Sequence, residues 1–288
     1  MSLLIQFGVN GIIAGAIYAL VAAGFSLIYS TNRFMHLAHG SVVVAGGYFF
    51  FVLISVLKIP WIWCVLISIF LSGLLGLLLY RLLYLPLQRR KASSVVLLVA
   101  SIALLIIMQN LFQIIFGPEV KSFQLHSIVY TVGGARISLI QLIIVGVALS
   151  SFSLLTLFLK KTLMGREIRA VADNPELASI VGIDTVKIAS FSFLIGSALA
   201  GIAGIAIGLD QNISPTMGTP AVIKGFTGAV IGGLENIPAS VVGSFLLGMA
   251  ENIGIAFLPS AYKDAIAFVI LFIFLLAKPT GLLGRKKA

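Results

Sequence analysis

Charged residues are scarce in this sequence, and their scarcity excludes most classes of soluble protein. Only 10% of the 288 residues are Asp, Glu, Lys or Arg, whereas soluble domains carry about 25%. Apolar residues make up 60% of the chain, and disordered chains are poor in such residues. The apolar stretches are long and continuous, which is typical of membrane-spanning helices. The composition therefore predicts an all-α, polytopic transmembrane helical bundle.

The sequence also has only one cysteine and no nucleotide-binding loop. The one cysteine, Cys64, excludes an intramolecular disulfide. The sequence has no G-x4-G-K-[ST] segment, the loop that cradles nucleotide phosphates. His36 and His39 have a spacing that a metal pair could use, but Cys64 is remote and no carboxylate is nearby. We predict no catalytic residue, no cofactor and no metal site.

Six uncharged stretches are long enough to cross a bilayer, which takes about 20 apolar residues. They are residues 7–29, 38–57, 61–80, 92–116, 137–159 and 188–209. The region 225–262 is apolar but is broken by Glu235, Glu251 and two prolines. It predicts either two short spans or a re-entrant hairpin. The last run, 265–277, is short, and the predicted total is about eight membrane segments.

Basic residues form three clusters, which predict the orientation of the chain. The clusters are Arg81 with Arg89, Arg90 and Lys91; Lys160, Lys161, Arg166 and Arg169; and Lys278 with Arg285, Lys286 and Lys287. All three lie on one side if the spans alternate and region 225–262 returns to the side that it left. Cytoplasmic loops collect Lys and Arg, so this side is predicted to be cytoplasmic. The N-terminus and the loop 117–136 are then outside, and the C-terminus is cytoplasmic.

The loop 160–187 is predicted to be cytoplasmic, and it carries clear signals for a short helix. Asn174 can cap the helix, and Pro175 suits its first position. Glu176 favours the positive end of the helix dipole, and Gly182 can stop the helix in the left-handed conformation. These signals predict a helix over 175–181.

One face of this short helix is apolar. Leu177, Ile180 and Val181 lie at i, i+3 and i+4. Because a seven-residue helix is too short to persist alone in water, this face must pack on something. The alternatives are the protein's own helix ends or a groove on a cytoplasmic partner.

Small residues recur at every fourth position in the first and sixth spans. In lipid, such stripes let two helices approach backbone to backbone. The predicted packing residues are Gly11 and Gly15, followed by Ala19 and Ala23, in the first span, and Gly196, Ala200, Gly204 and Gly208 in the sixth.

Polar residues inside spans are candidates for a transport path, because they usually face the protein interior or a cavity. Hydrogen bonding between helices is the alternative role. The candidates are Asn10, Tyr18, Ser26, His39, Gln109, Asn110, Glu251 and Asn252, with Gln113 as a further polar residue. Glu251 needs a partner, for which Lys224 or Lys263 is available.

The segment E-L-A-x3-G at 176–182 resembles the E-A-A-x3-G signature of bacterial ABC importer permeases. The surrounding GREIRAVADNPELASIVGI and the later GFTGAVIGGLENIPASVVGSFLLGMAE resemble permeases of branched-chain amino acid importers in particular. The opening GIIAGAIYALVAAGFSLIYS and the closing KPTGLLG also resemble that family. The resemblance covers nearly the whole chain in the same order.

The resemblance implies a permease subunit of an ATP-driven importer in the bacterial inner membrane. Its partners would be a second permease subunit, usually a longer homologue, two cytoplasmic ATPase subunits and an extracytoplasmic binding protein that delivers the amino acid. The short helix would dock into the ATPase. The expected coupling residues are Arg166, Arg169, Asp173, Glu176, Leu177, Ala178, Ile180, Val181 and Gly182.

Two departures from the family pattern leave the substrate open. The family often has N-F-A-H-G where residues 36–40 read HLAHG, and G-S-I-P-G where residues 235–239 read ENIPA. Related permeases import urea or short amides, which are the alternative substrates. A secondary transporter or channel without ATP is a further alternative; it would need intramembrane charges for an ion relay, and the sequence has few.

Overall fold

The computed structural model describes residues 2–123, 128–278 and 280–283. Within these residues the chain forms twelve α-helices and one β-hairpin. The helices are α1 (Ser2–Asn32), α2 (His39–Phe51), α3 (Trp61–Leu79), α4 (Leu85–Arg89), α5 (Ser94–Phe116), α6 (Leu139–Lys161), α7 (Leu163–Asp173), α8 (Pro175–Ile180), α9 (Thr185–Gln211), α10 (Gly218–Gly232), α11 (Ile237–Gly254) and α12 (Lys263–Ala277). The strands β1 (Val129–Val132) and β2 (Ala135–Ser138) pair antiparallel. π-Helical turns at Val52–Val56 and Tyr80–Tyr84 extend α2 and join α3 to α4.

Eight helical segments of the described residues are long and apolar enough to cross a membrane, which confirms the predicted class of fold. These segments are Leu3–Asn32, His39–Val56, Trp61–Arg89, Ser94–Phe116, Leu139–Lys161, Thr185–Gln211, Ile237–Gly254 and Ser260–Ala277. The first six correspond to the six uncharged stretches of the sequence.

Capping side chains explain where several of these helices begin and end. Ser138 and Gln141 form a reciprocal capping box at the start of α6, in which the Gln141 amide donates to Ser138 Oγ at 3.1 Å. Ser93 and Asp184 cap α5 and α9, where each side chain accepts a hydrogen bond from a backbone amide of the first turn. Gly117, with a φ of +82°, follows the last residue of α5.

The region 225–262 contains two antiparallel helices. α10 and α11 pack closely: a Cβ atom placed on Gly228 would lie only 2.8 Å from Cα of Ser244. α11 is one of the eight segments, whereas α10 has only 15 residues. Glu235 lies in the connection 233–236 and Pro238 in the first turn of α11, so these breaks mark the turn between two helices.

Polar contacts gather one set of loops at one end of the bundle, called here the basic end. Arg33, just after α1, pairs with Glu235 and also donates to the carbonyl oxygen of Ala172 in α7. Near the C-terminus, the Leu282 amide donates to the carbonyl oxygen of Ile231 at 2.8 Å. The ends of α1, α7 and α10 therefore lie together, beside residues 280–283. The predicted basic residues Arg285, Lys286 and Lys287 lie outside the described residues.

The opposite end, called here the hairpin end, carries β1 and β2. The Arg136 amide of β2 donates to Oε1 of Gln6 in the first turns of α1 at 2.7 Å. Lys121 and Ile213 exchange backbone hydrogen bonds of 2.8 and 2.9 Å, which join the segment after α5 to the segment after α9. The start of α1 and the ends of α5 and α9 therefore lie together, away from the basic end.

The core of the bundle is built around α1 and α9. The most apolar stretch of α1 is 94% buried within the protein and that of α9 is 72% buried, against 22% for α5 and α6 and 6% for α12. The inner helices carry many small residues, and the outer helices expose large apolar side chains. The outer surface is therefore suited to lipid or to a membrane partner.

The small residues of α1 lie against α11. A Cβ atom on Gly15 would lie 2.9 Å from Cα of Phe245, and one on Gly11 would lie 3.0 Å from Cα of Met249. These positions leave no room for a larger side chain.

The small residues of α9 lie against α1 and α2. A Cβ atom on Gly196 would lie 2.8 Å from the carbonyl oxygen of Gly24, and one on Gly204 would overlap the carbonyl oxygen of Val43. Ala200 is fully buried, and Gly208 contacts Ile213 beyond the end of its own helix. The glycines of both stripes other than Gly208 thus face other helices of the same chain.

Candidate coupling surface and transport path

Helices α7 and α8 form a capped unit at the basic end. Oδ1 of Asn174 accepts from the amides of Glu176 and Leu177 at 3.0 and 3.1 Å, as its predicted capping role requires. Gly182 has a φ of +88°, a conformation that favours glycine. The Ile183 amide donates to the carbonyl oxygen of Ala178 at 3.0 Å, and the Gly182 amide donates to that of Ser179 at 3.1 Å. This is a Schellman stop, and it ends the helix at Ile180, one residue before the predicted end.

The apolar face of α8 points away from the rest of the chain. The exposed fractions of Leu177, Ile180 and Val181 are 60%, 78% and 75%, while Ala178 on the opposite face is buried at 3%. Packing on the protein's own helix ends, one of the two alternatives, does not occur for these three side chains. The charged candidates nearby are also exposed: Arg166, Arg169, Asp173 and Glu176. The unit therefore presents a small apolar patch with charges around it.

The sequence-predicted path residues fall into a buried group and a surface group. The centre of the buried group is Glu251 in α11, whose side chain is completely buried. Its Oε2 atom accepts from the hydroxyl of Tyr18 at 2.8 Å and from Nζ of Lys224 at 3.4 Å. Lys224 also lies 2.7 Å from Oδ1 of Asp264 in α12. One lysine thus connects α1, α10, α11 and α12, and of the two available lysines it is the one that pairs with Glu251.

Three further candidates, the buried Asn252 and Ser26 and the half-buried Asn10, also have hydrogen-bond partners. Lys263 Nζ donates to Oδ1 of Asn252 at 3.3 Å. Ser26 donates to the carbonyl oxygen of Leu234 at 2.6 Å. Asn10 accepts from Gln6 at 3.0 Å. These contacts account for the polar atoms as hydrogen bonds within and between helices.

His36 and His39 lie together in the core, where α1 turns into α2. Their ring centroids are 5.9 Å apart, and Nδ1 of His36 lies 2.9 Å from the hydroxyl of Tyr84. Burial, with a smaller effect from His39, holds the pKa of His36 well below its ordinary value. His36 is therefore neutral at pH 7. Among the described residues, no group of three or more His, Cys, Asp and Glu lies together as a metal site would require.

The surface group lies on the C-terminal half of α5, beside the start of α10. Asn110 is exposed, and its amide donates to the carbonyl oxygen of Ile106 at 2.8 Å. Gln109 is half-buried and accepts from the hydroxyl of Thr219 at 3.3 Å. Gln113, one turn further along, is also half-buried. These residues make a polar edge on a helix that is otherwise apolar.

A cavity of about 860 Å³ opens at the basic end. One wall is α7, with Arg169 and Asp173, and the other is the start of α11 and its preceding connection, with Leu234, Glu235 and Pro238. The cavity lies next to the α7–α8 unit, on the side of α7 that faces the α10–α11 hairpin.

Sequence reasoning missed two charged residues of these sites. Asp264 pairs with Lys224, and its signal in the sequence was its place next to Lys263 at the start of the last apolar run. Arg33 pairs with Glu235, and it was not included in any of the three basic clusters. A single basic residue just after the first span could have been identified, but its partner lies 202 positions away.

The sequence is similar along nearly its whole length to one family of membrane proteins. A family model described as "Branched-chain amino acid transport system / permease component" matches residues 8–275. The high-affinity branched-chain amino acid transport system permease protein LivH of Salmonella typhimurium is 33% identical, over 96% of this chain and 94% of its own length. BraD of Pseudomonas aeruginosa, described in the same words, is also 33% identical with the same coverage. A probable LivH of Methanocaldococcus jannaschii is 30% identical over 98% of this chain and 95% of its own length.

Proposed function

Because this chain belongs to the family of branched-chain amino acid transport system permease components, we propose that it is the membrane-spanning permease subunit of an ATP-driven importer. Its substrate is a branched-chain amino acid or a related hydrophobic amino acid, as the names of its relatives suggest. An extracytoplasmic binding protein delivers the substrate, and a second permease subunit completes the pore. Two cytoplasmic ATPase subunits supply the energy, since this sequence has no phosphate-cradling loop.

The observation that carries this proposal is the exposed apolar face of α8. Leu177 and Ile180, on a helix of six residues, and Val181, which directly follows it, are apolar and exposed. A helix laid into a groove is a common mode of recognition, and it buries side chains at this spacing. α8 therefore docks into a groove of an ATPase subunit, and the surrounding Arg166, Arg169, Asp173 and Glu176 fix its position.

The transport path follows the polar edge of α5 at the interface with the second permease subunit. An exposed amide such as Asn110 is unfavourable against lipid, so water or protein must cover this face. Gln109 lies beside it on α5, and Thr219, at the start of α10, donates to Gln109. The buried candidates Tyr18, Glu251 and Asn252 instead hold the helices that form the wall of the path.

The chain forms one permease domain, residues 1–288, in the bacterial inner membrane. The basic end, with the coupling loop 160–187, lies in the cytoplasm, and the hairpin end lies outside. The distribution of Lys and Arg supports this orientation. The extracytoplasmic binding protein then docks at the hairpin end.

Reconstitution in liposomes tests this function. The complete importer, assembled from this chain and the ATPase subunits, second permease and binding protein of its source organism, is expected to accumulate leucine, isoleucine or valine when ATP is supplied on the ATPase side. This chain alone is expected to accumulate none of them. ATP-driven uptake of urea or acetamide by the complete importer, without uptake of the three amino acids, would contradict the proposed substrate.

A secondary transporter is the second candidate, and the charged network around Glu251 favours it. Ionisable residues within a membrane often belong to proton or ion relays, and Lys224 and Asp264 extend this network toward the surface. Uphill uptake by the lone chain, driven by a proton or sodium gradient without ATP, would support this candidate and contradict the ATP-driven importer.

A further inference from the structure

Arg33 joins three parts of the chain at the basic end. It directly follows α1 and has a φ of +58°, a left-handed conformation that turns the chain away from the helix axis. Its Nη1 atom pairs with Oε1 of Glu235, and its Nη2 atom donates to the carbonyl oxygen of Ala172. The two guanidinium branches thus hold the α10–α11 connection and α7 at the same time.

The carbonyl oxygen of Ala172 is one that the helix cannot satisfy by itself. Ala172 is the next-to-last residue of α7, and the last four carbonyl groups of a helix lack partners within it. Asn174 then begins the cap of α8, so α7 and α8 are separated by one residue. A group that holds the end of α7 therefore also sets the position of α8.

The cavity at the basic end separates the two parts that Arg33 connects. Ala172, in α7, and Glu235, in the α10–α11 connection, both line it. Because the walls are not packed against each other across this space, they can move relative to each other more easily than close-packed helices can. The guanidinium limits this motion, since a planar fork with two contacts is more rigid than a single charge.

Stability alone does not account for this arrangement. The side chains of Arg33 and Glu235 are 26% and 45% exposed, and ion pairs as exposed as this contribute little to stability. The α10–α11 hairpin does not depend on the pair either, because Gly228, Gly232 and Gly243 already pack its two helices tightly.

We propose that Arg33 is a positioning residue for energy coupling, and that it transmits movement of the α7–α8 unit to the α10–α11 hairpin. This proposal rests on the proposed function, in which α8 docks on an ATPase. When the ATPase moves α8, the Arg33 contacts to Ala172 and Glu235 pull or push the connection 233–236. Since α11 packs backbone to backbone on α1 through Gly15 and Gly248, the movement reaches the centre of the bundle.

The test compares amino acid uptake with ATP hydrolysis in the complete reconstituted importer. For Arg33→Gln, we expect the number of amino acids imported per ATP to fall about fivefold, a change within the range reported for residues that link two sites. Co-purification of the ATPase subunits and the melting temperature are expected to stay near those of the wild type. For Arg33→Lys, we expect an import ratio between that of the wild type and that of Arg33→Gln. A lysine keeps the charge for Glu235 but lacks the second branch for Ala172. Glu235→Gln should lower the ratio in the same direction as Arg33→Gln.

A matched control is Arg81→Gln, the same substitution at an exposed arginine of the π-helical turn Tyr80–Tyr84 that makes no ion pair among the described residues. It should leave the import ratio unchanged. An unchanged ratio in Arg33→Gln would overturn the proposal, and so would a loss of uptake and ATP hydrolysis in equal proportion. If Arg33→Gln does not assemble, an unchanged ratio in both Arg33→Lys and Glu235→Gln would overturn it. A wild-type importer that hydrolyses ATP without any uptake would instead overturn the proposed function, and this proposal with it.

Discussion

At the residue scale, the buried charges show how a membrane protein satisfies an acidic side chain. Glu251 has no exposed surface, and its Oε2 atom receives both the Tyr18 hydroxyl and Lys224. Its Oε1 atom has no hydrogen-bond partner among the residues that the structure describes. Removing one partner of a buried pair is costly because the other charge stays buried without compensation.

This cost predicts an order of stability for three variants. Lys224→Met leaves the fully buried Glu251 without its ion-pair partner, so we expect a loss of about 3–5 kcal/mol. Glu251→Gln is expected to cost less, about 2 kcal/mol, because Asp264 still faces Lys224. Asp264→Asn is the control: its side chain is 65% exposed, and the expected change is below about 1 kcal/mol. Thermal unfolding in detergent measures the order, and equal melting temperatures for all three variants would contradict it.

A second residue, Leu177, separates docking from folding. Its side chain is 60% exposed, so Leu177→Asp should insert and fold normally. In a partner's apolar groove the unpaired charge would be unfavourable, and we expect co-purified ATPase subunits to fall at least about tenfold, as for a central interface residue. ATPase stimulation by the loaded binding protein should fall with it.

The control for Leu177→Asp is Val120→Asp. Val120 is apolar and as exposed as Leu177, and it follows α5 at the hairpin end. It should leave the amount of co-purified ATPase unchanged. Wild-type co-purification in Leu177→Asp would mean that the ATPase docks elsewhere, with Arg89–Arg90 and Lys91 as the next surface to test.

At the scale of the elements, glycine spacing decides which helices form the core. α9 approaches α2 so closely at Gly204 that any side chain would overlap the backbone of Val43. The outer helix α6 contains Gly146, which has free space around it: a Cβ atom on Gly146 would have no neighbour within 4 Å. The same residue type is therefore required in one helix and replaceable in another.

This difference predicts opposite results for two identical substitutions. Gly204→Leu should destabilise the protein by at least about 1–3 kcal/mol, the usual cost of overpacking, because helix backbones must separate to admit the side chain. Gly146→Leu should change stability little, since its side chain enters open space. Recovery of folded protein and thermal unfolding compare the two. If Gly204→Leu assembles and transports like the wild type, close approach of α9 to α2 is not required.

At the scale of the whole molecule, the loops separate into two ends with different charge. Arg33 and Arg169 lie at the basic end, where Arg33 donates to α7 and Arg169 lines the cavity, whereas the hairpin end carries β1 and β2. α10 is short, yet it brings the chain back to the basic end, because its last residues contact residues 282–283. Because α10 returns to the basic end, α11 and α12 also lead the chain back there, and Lys278, the first residue of the third basic cluster, follows the end of α12.

Cysteine labelling in intact cells tests this arrangement, in a variant whose Cys64 is replaced by Ser. Single cysteines at Lys58 and Tyr130, both exposed, should react with an impermeant maleimide added outside. Cysteines at Lys91 and Ser179, also exposed, should react only after the cells are permeabilised. Labelling of position 91 from outside would reverse the proposed orientation.

The sequence by itself determined the local features of this protein. Six spans, the capped helix after Asn174 and the stop at Gly182 were predictable because each depends on neighbouring residues: a continuous apolar run, a capping side chain, a left-handed glycine. The family was also recognisable, because segments that resemble it occur along nearly the whole sequence in the same order as in the family. The predicted end of α8 was one residue too late. Val181 continues the apolar spacing of the helix, but it lies in the turn that Gly182 forces.

The tertiary structure decided which distant residues meet. Lys224 rather than Lys263 pairs with Glu251, and Arg33 meets Glu235 across 202 positions, because the packing of α1 against α10 and α11 brings them together. Tyr18 and Asn110 are both polar residues within apolar spans, yet one is buried between helices and the other is exposed. In a span whose residues are nearly all apolar, hydropathy alone does not tell which face is buried, and the spacing of small residues indicated that face only in the first and sixth spans. Only the close contacts at glycines such as Gly15 and Gly204 fix those faces, and with them the positions of the polar side chains.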